Sequence, residues 1–142
     1  MRAAGQKMCL VWIFIAMLAA LAGCASTSEK AEYYSDSSNY VTAAGKLTYI
    51  RNDAEHDAVY LAIEDLTPAF SDPNFKIQGE NYRLACERGL MEALEIGQTV
   101  TFQAAPKYFG DGYVIPIAGI TVDGSIYLDF EDGKANIINE MK

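Results

Sequence analysis

Of the side chains that can act as nucleophile, general base or metal ligand, the chain holds one histidine, His56, and three cysteines, Cys9, Cys24 and Cys86. A serine or cysteine hydrolase needs a nucleophile, a base to take its proton and donors for the developing oxyanion. His56 stands in the charged stretch RNDAEHD, and no Gly-x-Ser-x-Gly surrounds any serine, so that chemistry has nowhere to assemble. A structural zinc would need a His and Cys cluster, which the sequence lacks. Acids are more plentiful. Glu64 with Asp65, and Asp129 with Glu131 and Asp132, are adjacent carboxyls of the kind that flank a scissile glycosidic bond. The second group, closed by Gly133, offers oxygen ligands for calcium but not the spacing of an EF-hand loop. With 19 acids in the chain, such neighbours arise by chance, and acids at a helix start also serve as caps. No catalytic residue, metal or cofactor is assigned on these grounds. A carboxylate-dependent glycan hydrolase is the enzymatic alternative.

Cys24 has the most specific surroundings. Met8 to Ala22 is fifteen residues without a charge or a polar amide, preceded by Arg2 and Lys7. As a helix it would reach about 22 Å at 1.5 Å per residue, short of a hydrocarbon core of roughly 30 Å. The pattern is that of an export signal rather than a membrane span. Its end, Leu21-Ala22-Gly23-Cys24, resembles the lipobox of bacterial lipoproteins. That resemblance implies cleavage after Gly23, attachment of diacylglycerol to the Cys24 thiol and further acylation, with palmitate or a similar chain, at the new amino terminus. Two or more acyl chains anchor stably where one does so marginally. Ala25, where an inner-membrane retention signal would have Asp, implies release to the outer membrane in a two-membrane bacterium. The expected location is therefore lipid-anchored and extracytoplasmic, at the cell membrane or outer membrane. Cys9 leaves with the signal and Cys24 is used by lipid, so no disulfide forms within the mature chain. Cys86, on the apolar side of a predicted helix, reads as a small buried hydrophobe.

Positioning any site falls to the chain beyond the signal. Residues 24–40 are rich in Ser, Glu and Asp without apolar period and read as a flexible tether, in which Tyr33, Tyr34 and Tyr40 are expected as solvated linker residues, the alternative being that they dock on the domain or the membrane interface. Residues 41–142 form the predicted domain. Val41, Ala43, Leu47 and Tyr49 alternate in a first strand, and Val59, Leu61 and Ile63 in a second; Phe75 and Ile77 mark a third, closed by Gly79. From Asn81, an expected N-cap, Tyr82, Ala85, Cys86, Gly89, Leu90, Ala93 and Leu94 recur at helical spacing up to Gly97. Thr99 to Ala104 returns to alternation, and Tyr113 to Val122 is a long apolar strand. Asp123-Gly124 signals a two-residue hairpin into Ser125 to Phe130. A short helix carrying Ile137, Ile138 and Met141 is expected after a break at Gly133.

Three strands, a helix and two strands, with Ile96-Gly-Gln-Thr-Val-Thr-Phe102 leading into the fourth strand, resemble the OB-fold. The expected fold is mainly β: a small OB-like Greek-key barrel of five to six strands, one helix between strands 3 and 4 and a short C-terminal helix. An open α+β sheet is the alternative. The resemblance implies a ligand face bordered by the loops after the first and fourth strands. It places Arg51, Asn52 and His56 on one side, Lys107, Tyr108, Phe109 and Tyr113 on the other, and Tyr60 between them. Tyr108 and Phe109 could instead turn inward and plug the barrel end.

Charge narrows the partner. Without residues 1–23 the chain carries 9 cations against 19 acids, a formal charge near −10. Single-stranded nucleic acid needs a positive groove besides aromatic rings, and this composition argues against one. The expected function is a non-catalytic, lipid-anchored module that binds a protein, peptide or glycan at the cell envelope. A purely structural envelope lipoprotein is the third reading.

Overall fold

The computed structural model describes residues 29–106 and 114–141. Cys24 and residues 1–23 lie outside that range, as do Lys107, Tyr108, Phe109 and Tyr113. The described chain is mainly β. Its strands are β1 (Val41–Asp53), β2 (Ala58–Thr67), β3 (Asn74–Gln78), β4 (Thr99–Ala104), β5 (Ile115–Val122) and β6 (Ser125–Leu128). Helices are α1 (residues 29–35), α2 (Glu80–Glu87), α3 (Leu90–Ala93) and α4 (Phe130–Glu140).

Strand order is β3-β2-β1-β4-β5-β6, and a parallel β3–β5 pairing joins the two sides. Strands β1 to β5 thus close into the expected OB-like barrel, and β6 extends β5 as a sixth strand. Closure depends on the length of β1, which pairs with β4 through Val41 to Lys46 and with β2 as far as Asp53. Register shifts at Ala44/Lys46 and Leu47/Tyr49 bend it from one side of the barrel to the other. Each alternating strand then turns one set of side chains inward. Leu47, Leu61, Ile63, Phe75, Phe102 and Ile120 are fully buried, and the rings of Phe70, Phe75 and Phe102 pack with centroids 4.8 to 5.8 Å apart.

The helical span after β3 differs from the expected single helix. Gly89, at φ +88°, splits it into α2 and α3. Tyr82, Ala85, Leu90 and Leu94 nevertheless all join the barrel core, and Cys86, partly buried, packs against it. The N-cap is Gly79 rather than Asn81. Asn81 is buried inside the first turn, where its Nδ2 donates to the Gly133 carbonyl (3.0 Å) and its Oδ1 accepts from Asn136 (2.9 Å). Asp123 and Gly124 both take positive φ, as a tight hairpin turn requires.

Two further expectations are corrected. Strand β6 ends at Leu128, and α4 begins before Gly133, not after it. Asp129 caps α4, its Oδ1 accepting from the Glu131 and Asp132 backbone N–H groups. Gly133 sits inside the helix because a β-carbon there would overlap the Ala118 carbonyl of β5. Close packing, not a chain break, calls for glycine.

Residues 29–40 are the second correction, because they fold onto the barrel instead of forming free tether. Tyr34 is 3% exposed and packs with Ala105, Ala118 and Ile137. Tyr40 stands edge-on to Phe130 at 5.1 Å, and its hydroxyl donates to the Tyr34 carbonyl (2.8 Å). Asn39 Nδ2 donates to the Tyr33 carbonyl, and Lys134 Nζ to Ser37 Oγ. Three rings on small barrel residues supply the apolar contact that a Ser- and Glu-rich segment otherwise lacks.

Candidate functional site

Beyond the register shift at Leu47/Tyr49, β1 changes which of its side chains face out. Leu47 points into the core, whereas Tyr49, two residues on, is 49% exposed. Tyr49 and Arg51 therefore share the outer surface. Pairing extends this surface across three strands: Arg51 opposes Tyr60, and Tyr60 opposes Lys76. One further step, through the parallel pairing, reaches Pro116.

The Arg51 guanidinium lies 4.2 Å from the centre of the Tyr60 ring, a cation–π stack that leaves its side chain half exposed. Asp53 holds the near end of the row. Its carboxylate is 3.9 Å from Arg51 and 3.0 Å from His56 Nδ1. The His56 hydrogen bond, and then the charges of His56 and Arg51, hold the Asp53 carboxyl below the usual aspartate range. His56 lies in the 3-10 turn Ala54–His56 and is exposed. Asn52 does not join this row. It pairs with the buried Val59, and its Oδ1 accepts from the Tyr82 hydroxyl (2.7 Å), tying β1 to α2. Arg51, Tyr60 and His56 are thus brought together, while Asn52 faces the helix.

Lys76 and Tyr49 complete the row, and the sequence alone does not mark either as a site residue. Lys76 stands between the buried Phe75 and Ile77, so alternation alone turns it outward. Lys76 also lines a pocket of about 210 Å³ between α1, β3, the start of β5 and α4. Lys30, Tyr34, Pro116, Ile137 and Glu140 contribute to its walls. Burial pulls the Lys76 ammonium below the ordinary lysine range, against the opposing pull of Glu140. Glu140 is 3.4 Å from Gln78 Nε2.

The acids behave differently. Glu64 and Asp65 are exposed on β2, beside a shallow groove shaped by Leu66, Phe70 and Pro73. Asp129 is occupied in capping α4. The two acidic clusters of the enzymatic alternative thus lie on separate elements, one on β2 and the other at the start of α4. Among the described residues no three His, Cys, Asp or Glu side chains converge as a metal site, and no helix is long and apolar enough to cross a membrane.

A closed OB-like barrel with a cation-and-ring row on its outer surface is the class that fold and site define. Comparison with protein-family models, curated proteins and solved structures gives no match for this chain.

Proposed function

We propose that the protein is a non-catalytic binding module, tethered outside the cytoplasm through a lipid on Cys24, that holds a protein, peptide or glycan partner against the outer face of β1 to β3. One observation carries the reading: Arg51 stacked on Tyr60, with Lys76 and Tyr49 beside them, concentrates cations and ring faces on a chain that is otherwise strongly acidic. Rings offer stacking to a sugar or a side chain, and the two cations take carboxylates. The aromatic residues Tyr108, Phe109 and Tyr113, with Lys107, belong to the same proposal through the loop that follows β4.

Photocrosslinking in cells from a probe at Tyr49 tests it. A discrete partner is expected to be captured. The double variant Arg51→Ala, Tyr60→Ala should reduce capture at least tenfold while melting as the parent does. Capture of equal strength by that variant, or no captured partner at all, would overturn the reading. The mass of the amino-terminal peptide reports the Cys24 lipid in the same sample.

A further inference from the structure

We propose that the pocket beside α1 receives the phosphate of an anionic membrane lipid, with Lys30 and Lys76 as its counter-charges, so that the barrel rests on the bilayer in one orientation. The proposal rests on the lipid-anchor reading of Cys24 and adds to it a contact surface.

Chain length keeps the pocket close to a lipid on Cys24. Only five residues lead from Cys24 to Glu29, the first described residue of the docked segment, and at roughly 3.6 Å each they span at most about 18 Å. A free sixteen-residue linker would let the body tumble. Here the segment is fixed by buried Tyr34 and by Tyr40 against Phe130, so the surface around Glu29 stays near the headgroups.

That surface also carries the groups an anionic headgroup needs. Lys30, next to Glu29, is part of the pocket wall, and so are Glu140 and Met141 at the end of α4. Among the described residues the ion pairs use Arg51, His56, Arg83 and Lys134, and neither Lys30 nor Lys76 has a carboxylate within pairing distance. Glu140 is the one acid among the described wall residues and lies toward Gln78. Tyr34, Pro116 and Ile137 give the rest an apolar character suited to the glycerol side of a headgroup. At about 210 Å³ the pocket is smaller than the roughly 300–1,000 Å³ typical of sites for drug-sized ligands. It has room for a headgroup and not for a whole lipid.

Net charge makes such a local contact necessary. A mature chain near −10 is repelled by an anionic leaflet unless local cations face it. Two unpaired lysines at the membrane-proximal pocket supply them.

The test uses the full lipidated protein in vesicles of phosphatidylcholine, with and without phosphatidylglycerol. Amine-reactive footprinting should show Lys30 and Lys76 protected several-fold by phosphatidylglycerol, with Lys46, outside the pocket, unchanged. Hydrogen exchange at Ile115 to Ile117 should slow in parallel, and the variant Lys30→Gln, Lys76→Gln should lose that slowing while melting normally. Equal protection in both vesicles overturns the proposal. So does protection reproduced by inorganic phosphate over phosphatidylcholine, which would make this a site for free phosphate. A lipidated Cys24 without protection defeats the pocket alone; an unmodified Cys24 defeats the anchor and the pocket together.

Discussion

The outer surface of the barrel has two halves that the same strands treat differently. Over β5 it is built from Ala118 and Gly119, with Ala105 just after β4, and backbone can approach closely: α4 seats Gly133 on the Ala118 carbonyl, and Tyr34 fills the remaining space. Over β1 to β3 it carries Tyr49 and Arg51, each about half exposed, beside Tyr60 and the partly buried Lys76. Both halves belong to strands that are equally buried on their inner side. Small residues on the outside of a strand mark where the chain covers itself. Long amphipathic ones mark where it leaves its strands more open.

The sharpest way to break this comparison is to remove what the two halves share. Phe102→Ala deletes a fully buried ring in contact with Phe70 and Phe75, and large-to-small changes of this kind cost about 3–5 kcal/mol. Urea unfolding should show that loss, with both outer halves melting together. Gly133→Ala should cost less, about 1–3 kcal/mol for overpacking against backbone, despite the better helix propensity of alanine. Its effect should be local: trypsin should cut sooner after Lys30 and Lys134 while the barrel strands stay protected. If Gly133→Ala instead opened the barrel as Phe102→Ala does, the covered half would be integral to the core and the distinction between the halves would be lost.

The barrel is readable in the sequence because alternation in β2 and β4, the long apolar run of β5 and the Asp123-Gly124 turn are local signals. The helix between β3 and β4 is readable for the same reason, although Gly89 divides it. What escapes is set by contacts between distant residues. A one-residue slip after Leu47 reverses the facing of β1, so Tyr49 reads as core in the sequence and lies outside in the fold, and Asn52 parts from Arg51. The three tyrosines of residues 29–40 have no helical period, and only the small residues of β5 explain why they dock. Gly133 resembles a chain break until Ala118 is placed beside it. Of the site, Arg51 and Tyr60 are legible from the expected barrel loops. Lys76 alternates outward visibly, but its place beside Tyr60 depends on strand register.

Lys76 also gives the smallest expected effect, and the one that most directly asks whether the open half is kept for binding. A partly buried ammonium without a paired carboxylate is a cost to the fold, and its depressed pKa expresses that cost. Methionine has similar length and keeps the stem packing, so Lys76→Met should raise the melting temperature slightly, within the ~0.5 kcal/mol typical of surface changes. The pH dependence fixes the sign. A lysine whose folded pKa lies below its unfolded value of 10.5 penalises the folded state most at neutral pH, where it is charged in both states. The penalty shrinks as pH rises through the folded pKa and is gone above 10.5, so the gap between variant and parent should close on the alkaline side. Thermal melts of both proteins from neutral pH upward check this, since other titrations cancel in the difference. A variant less stable than the parent at neutral pH would mean that the Lys76 charge supports the fold, and the row it shares with Arg51 and Tyr60 would then owe its lysine to stability, not to a partner.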